Sequence, residues 1–207
     1  MFYFENDVLK SDFLEGVEHF FTTRNFKESL ECIMPEQTHS DHVEFVDERT
    51  QYPDTDGLII TKSRQKIRLK FADCTPLLFY NPKTNTGAIS HAGWRGTAQK
   101  IGVKTIEKMG GQAKDTIVVI GPTIGLCCYE VSDDVKTKLL QTVKDTANLY
   151  NNCNVDLKAI NARQLQEVGV EKIDICPYCT SCNNDLFYSY RKENGTMQRH
   201  FAVLQLP

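Results

Sequence analysis

Between Phe71 and Gly96 the chain carries two short apolar runs, Pro76–Tyr80 and Gly87–Ser90, joined by an Asn81-Pro82 turn. Apolar runs of this length bounded by turn residues read as strands, and a tight connection makes them antiparallel neighbours. The start of the first strand then lies beside the end of the second. Cys74 precedes the first strand and His91 follows the second. A thiol and an imidazole remote in sequence are therefore brought together. Such a pair is either a nucleophile with its base or two ligands of one metal ion.

Other strands are expected at Glu18–Thr22, His42–Val46, Gly57–Thr61, Thr116–Ile120, Ile173–Ile175, Leu186–Tyr190 and His200–Leu204. Lys66–Phe71 alternates Ile67, Leu69 and Phe71 with Lys66, Arg68 and Lys70, the pattern of a half-buried strand. Thr97–Met109 reads as a helix stopped by Gly110-Gly111. Ser132 and Asp156 are N-caps for two further helices. The first turns Val135, Leu139, Leu140 and Val143 inward, and the second Leu157, Ile160, Leu165 and Val168. Many strands and a few non-alternating helices predict an α+β fold with mixed β-sheets flanked by helices, one domain over residues 1–207.

Charge narrows the function. The 24 basic and 27 acidic residues are dispersed, with a net charge of -3 and no basic stripe for nucleic acid. No apolar run is long enough to span a membrane, and Met1–Lys10 lacks the pattern of a signal peptide. The expected location is cytoplasmic, with no protein partner inferred. Eight cysteines in such a chain are then free thiols or metal ligands rather than disulfides.

His39 adds a second imidazole to Cys74 and His91. Two imidazoles and one thiolate leave a tetrahedral position open, as a catalytic zinc requires. On the residues alone, a metal-free Cys–His dyad and a plain buried thiol remain open. Asp73 is expected on the opposite face of an extended segment from Cys74, as a general acid or base or as a turn residue. His91-Ala92-Gly93-Trp94-Arg95-Gly96 runs into a helix start, where N–H groups and Arg95 attract anions. Arg24 and Arg191, each at the end of an expected strand, are the other candidates to grip phosphate. Cys176, Cys179 and Cys182 form a C-x-x-C-x-x-C run without a fourth ligand, which Cys153 or Cys127 would have to supply. The run is read as free thiols in a loop, and Cys127-Cys128 as buried thiols.

Several motifs taken together carry a resemblance. They are Thr22-Thr23-Arg24, Gln37-x-His39, Thr55-Asp56-Gly57, Ala72-Asp73-Cys74-x-Pro76, His91-Ala92-Gly93-Trp94-Arg95-Gly96, Ile120-Gly121-Pro122-x-Ile124-Gly125 with Cys128-Tyr129-Glu130-Val131, and Ser189-Tyr190-Arg191. From about Thr22 to the C-terminus the chain resembles the laccase-domain, or multicopper polyphenol oxidase, family of YfiH-like proteins, now described as purine nucleoside phosphorylases. The resemblance implies a fold like the catalytic domain of cytotoxic necrotizing factor toxins. It also implies zinc, or copper, held by His39, Cys74 and His91. Implied substrates are phosphate and a purine nucleoside (adenosine, inosine, guanosine or methylthioadenosine), with adenosine deamination as a further activity. Asp73, Cys74 and His91 would then be catalytic, and Arg24, Arg95 and Arg191 would bind substrate. The segment Asn25–Glu36 is shorter than in the family, which bears on substrate range. Three alternatives stand beside this expectation. One is a metal-free Cys–His hydrolase of amide bonds, as in peptidoglycan editing. A second is a copper-dependent polyphenol oxidase, disfavoured by only five histidines and no His-x-His pair. The third is a non-catalytic module that binds a nucleoside or a peptidoglycan precursor without turnover.

Overall fold

A computed structural model describes all of Met1–Pro207. In chain order the strands are β1 (Phe2–Glu5), β2 (Val8–Ser11), β3 (Glu18–Thr22), β4 (Val43–Phe45), β5 (Gly57–Ile60), β6 (Lys66–Phe71), β7 (Thr75–Asn81) and β8 (Thr86–Ala92). They continue with β9 (Ile117–Ile120), β10 (Tyr150–Asn151), β11 (Asn154–Val155), β12 (Lys172–Ile175) and β13 (His200–Gln205). The helices are α1 (Trp94–Ala98), α2 (Ile101–Met109), α3 (Asp133–Leu140) and α4 (Leu157–Glu167). The α+β architecture with mixed sheets expected from the sequence is the one observed.

One sheet has the order β1-β2-β3-β13-β6, all antiparallel. The other has the order β12-β9-β7-β8-β5-β4, with β12–β9 and β4–β5 parallel and the rest antiparallel. Alternation decides how they stack. Ile67, Leu69 and Phe71 of β6 are fully buried and share one core with Phe21, Leu204, Leu58, Ile60, Leu78 and Ile89. Residues of opposite parity on the six-stranded sheet, Leu77, Phe79, Ile59 and Ala88, face a second core under α2 and α4, with Ile101, Ile106 and Leu165. The six-stranded sheet is thus covered on both sides, and β7 and β8 run through the middle of it. No helix of the structure is long and apolar enough to cross a membrane.

Some local expectations are corrected. The hairpin of β1 and β2 was not foreseen: Phe2–Phe4 is a continuous aromatic run, mostly exposed, that lacks alternation. The single helix expected over Thr97–Met109 is two helices, because Lys100 adopts φ 58 and breaks the run. α3 ends at Leu140, before Val143. Val168 is at the C-cap of α4 and is exposed. Leu186–Tyr190 is not a strand. Its backbone donors are taken locally, Leu186 and Phe187 N–H by Asn183 O and Ser189 N–H by the Glu193 carboxylate. Such local bonding competes with a sheet ladder.

Candidate active site

β7 and β8 pair with Pro76 opposite His91 and Thr75 opposite Ala92. The next position outward sets Cys74 against Gly93. A Cβ on Gly93 would stand 2.9 Å from Cys74 Sγ and 3.2 Å from His39 Cδ2. Glycine there leaves room for the sulfur and for a second imidazole. That imidazole is His39, carried in by the loop between β3 and β4, its ring edge-on to His91 with centroids 4.8 Å apart. One donor atom from each of His39, Cys74 and His91 lies within 4.8 Å of the other two.

Asp56, just before β5, organises the group. Its carboxylate is fully buried and accepts from His91 Nδ1 at 2.7 Å. It also accepts the N–H groups of Thr38 (3.0 Å), His39 (3.2 Å) and Ser40 (2.7 Å). These bonds fold the loop so that His39 sits at φ 63, in the left-handed region. They also commit Nδ1 of His91 to the carboxylate, leaving Nε2 as the ring's ligand or base. Thr55-Asp56-Gly57 belonged to the sequence pattern, but nothing in the sequence tied Asp56 to His91. Its one signal was a carboxylate at the head of an otherwise apolar strand.

Charges reinforce one another. Burial pushes the Cys74 thiol up, but the neighbouring His91 charge and polar contact with His39 and His91 outweigh it and hold Cys74 at about 6. Burial alone would lower His91, yet the Cys74 thiolate and the Asp56 carboxylate raise it to about 9. Asp56 is likewise raised by burial and lowered more strongly by His91 and the loop N–H groups, to about 2. The thiol is therefore a thiolate at neutral pH, the form that attacks carbon and binds metal.

The group opens onto a cavity of about 610 Å³ lined by Gln37, His39, Lys70, Ala72, Asp73, Cys74, His91, Arg95, Tyr129, Tyr190, Arg191, Met197 and Arg199. Lys70, Arg95, Arg191 and Arg199 make its charged lining predominantly cationic, with Asp73 the opposing carboxylate. Arg95 lies over the Trp94 ring at 4.5 Å, and Arg191 over Tyr129 at 5.4 Å. In the sequence Lys70 is only an outward strand residue and Tyr129 only part of a motif, and Arg199 carries no signal, so none of the three is expected at the site.

Two expectations change. Asp73 is not in an extended segment: its φ of 80 turns the chain, and Asp73 and Cys74 both belong to the cavity lining. Its Oδ1 accepts from the Thr180 hydroxyl at 2.6 Å and its Oδ2 from the Arg191 N–H at 2.7 Å. Arg24 is absent from the lining. Its guanidinium pairs with Glu193 and lies 4.4 Å over the Tyr188 ring. The helix start that follows His91 is α1, five residues long, with Arg95 as its second residue. A smaller depression of about 420 Å³ beside Lys10 and Asp12 includes His19, whose two nitrogens are both used, by Ser11 N–H and Val17 O.

The cysteine run divides. Cys176 is fully buried apart from the others, and burial raises its thiol to about 12. Cys179 and Cys182 instead meet Cys127 and Cys128. Cys127 is exposed rather than buried, because it belongs to the turn after β9 and not to the strand.

The residues present suit a zinc ion: two imidazoles, one thiolate already ionised by its surroundings, and a carboxylate behind one imidazole, the usual backing for a ligating histidine. The fold and this site together define an α+β protein whose two-sheet frame presents a His–Cys–His donor group at the wall of a cationic cavity. The chain belongs to the multi-copper polyphenol oxidoreductase laccase family, whose model matches residues 14–207. It is 33% identical over 194 residues to the purine nucleoside phosphorylase YlmD of Bacillus subtilis, covering 83% of this chain and 69% of that one. It is 34% identical over 194 residues to the purine nucleoside phosphorylase SERP0752 of Staphylococcus epidermidis, covering 84% of this chain and 72% of the relative. The crystal structure of the Bacillus licheniformis hypothetical protein YfiH superposes with a TM-score of 0.92 at 26% identity, over 100% of this chain and 99% of that one. YlmD from Geobacillus stearothermophilus superposes with a TM-score of 0.87 at 27% identity, over 99% and 98%.

Proposed function

We propose that the chain is a zinc-dependent purine nucleoside phosphorylase acting on adenosine, inosine, guanosine or methylthioadenosine, with adenosine deamination as a second activity. The observation that carries the reading is the meeting of His39, Cys74 and His91 donors at the wall of a cavity whose charged lining is mostly cationic. The similarity to proteins named purine nucleoside phosphorylase points the same way.

Phosphorolysis requires an anion to be held against the ribose carbon while the base departs. Arg95 and Arg191 are assigned to that anion, since guanidinium groups grip phosphate through paired charge-assisted bonds. Tyr129 and Tyr190 belong to the cavity lining and are assigned to packing against the purine. Asp73 accepts hydrogen bonds on both oxygens, so it is assigned to fixing the Arg191 backbone and Thr180 rather than to moving a proton. His39, Cys74 and His91 hold the zinc, and Asp56 keeps His91 oriented. When bound, zinc supplies Lewis-acid polarisation and makes water more acidic, which hydrolytic deamination of adenosine requires. Neither reaction transfers electrons. Only His39 and His91 of the five histidines belong to a donor cluster, so copper-based oxidation of phenols is set aside.

One observation favours a second reading. Cys74, His91 and Asp56 also stand in the order nucleophile, base and orienting carboxylate of a cysteine hydrolase. Inosine cleavage by purified wild type and Cys74→Ala, with and without phosphate and with metal analysis of both, separates the two. Phosphate-dependent hypoxanthine release that tracks zinc content supports the phosphorylase. Hypoxanthine release without phosphate, or an unimpaired amidase after chelation, overturns it.

A further inference from the structure

A second donor cluster adjoins Thr180, the residue whose hydroxyl donates to Asp73. The sulfur atoms of Cys127, Cys128, Cys179 and Cys182 all lie within 4.8 Å of one another. Cys182 Sγ is 3.4 Å from Cys127 Sγ and 3.4 Å from Cys128 Sγ. A disulfide would bring one partner to about 2.05 Å and leave the other behind. Four sulfurs around a zinc ion at about 2.3 Å instead sit roughly 3.8 Å apart along each edge of the tetrahedron. The two 3.4 Å separations are much nearer to that spacing than to a disulfide bond.

The local backbone fits the same purpose. Gly125 N–H donates to Cys179 Sγ at 3.2 Å, an interaction that supports a thiolate in a metal knuckle. A Cβ on Gly125 would press against Cys179 Cβ at 3.2 Å and Cys127 Sγ at 3.4 Å. Cys179-Thr180-Ser181-Cys182 has the C-x-x-C spacing of structural zinc sites, and Cys127-Cys128 supplies the other half.

We infer that Cys127, Cys128, Cys179 and Cys182 form a structural tetrathiolate zinc site, separate from the donor group at the cavity. No position is left open for water or substrate, so the site ties chain together rather than reacting. The segments it ties are those that complete the cavity. Tyr129 follows Cys128, and Thr180, which follows Cys179, donates to Asp73. The two segments are already joined by Thr180 N–H to Thr123 O at 3.1 Å and by Gly125 N–H to Cys179 Sγ. Zinc adds a further tie, and each cysteine gives up its thiol proton to solvent on binding.

The test uses the full chain and does not depend on nucleoside cleavage. Cys74→Ala removes the first donor group, so any zinc retained after dialysis reports the second. Cys74→Ala is expected to keep one zinc per chain and Cys74→Ala/Cys182→Ser to keep none. Zinc-edge X-ray absorption of Cys74→Ala needs no change in the cluster; it should give a sulfur-only shell at about 2.3 Å. A zinc-free Cys74→Ala, iron in place of zinc, a shell containing nitrogen or oxygen, or peptide mapping that finds these cysteines as disulfides overturns the inference.

Discussion

Asp56→Asn tests the most connected group in the site. The substitution keeps shape and volume and removes the charge. In the native protein one carboxylate accepts His91 Nδ1 at 2.7 Å, three loop N–H groups between 2.7 and 3.2 Å, and the Ser40 hydroxyl at 2.9 Å. An amide has one acceptor oxygen and presents N–H groups where the other oxygen stood. Either His91 or the loop that holds His39 at φ 63 then faces a donor instead of an acceptor. Losing one buried acceptor costs about 1–3 kcal/mol, and removing the carboxylate behind a ligating histidine weakens metal binding by roughly 10–100-fold. The two figures agree, since tenfold corresponds to about 1.4 kcal/mol. Chelator competition measures the zinc Kd in wild type and Asp56→Asn, with Cys74→Ala identifying the step that belongs to this site. The expected result is a rise in Kd by that factor with the circular dichroism spectrum unchanged. An unaltered Kd in a folded variant would refute the assignment of Asp56 as the group that orients both imidazoles.

Four further outcomes are expected. In zinc-free protein, alkylation of Cys74 by iodoacetamide, followed by peptide mass spectrometry, should be half-maximal near pH 6 rather than the roughly 8.5 of a free cysteine. Gly93→Ala places a methyl group 2.9 Å from Cys74 Sγ, so it should weaken zinc binding while leaving the fold intact, measured by the same chelator competition. Arg191→Ala keeps the backbone bond to Asp73 and loses the guanidinium, and should raise the phosphate KM by about tenfold or more in an inosine phosphorolysis assay. His200 is fully buried, and burial holds it near 3, so it is neutral in the fold while the unfolded chain titrates near 6.5. Its contribution is complete above pH 6.5 and is lost as pH falls towards 3. Between pH 7 and 5 that amounts to roughly 2 kcal/mol, which urea unfolding of His200→Phe should no longer show.

The hairpin at the centre of the fold was legible because its signal is local: two apolar runs, a turn between them, and a reactive residue at each outer end. Once β7 and β8 are paired, Cys74 and His91 must meet, and no long-range knowledge is required. β6 was equally plain from Ile67, Leu69 and Phe71. What the sequence did not show was set by positive backbone angles and by contacts across the chain. Lys100 at φ 58 divides a helix whose apolar spacing reads as continuous, and Asp73 at φ 80 turns the chain where an extended segment was expected. Arg24 stands at the end of its strand as expected, but Glu193, far along the chain, neutralises it. Cys176 had the spacing of a metal ligand and is instead enclosed by apolar side chains. Its place beside Cys179 and Cys182 is taken by Cys127 and Cys128, brought up by the turn after β9. Spacing within one segment cannot reveal a cluster assembled from two.

Zinc removal and restoration tests the central claim most directly. Wild type treated with chelator should lose phosphate-dependent conversion of inosine to hypoxanthine and recover it when zinc is returned, whereas Cys74→Ala should stay inactive with zinc in excess. Full phosphorolysis by the metal-free protein, or by Cys74→Ala, would contradict it.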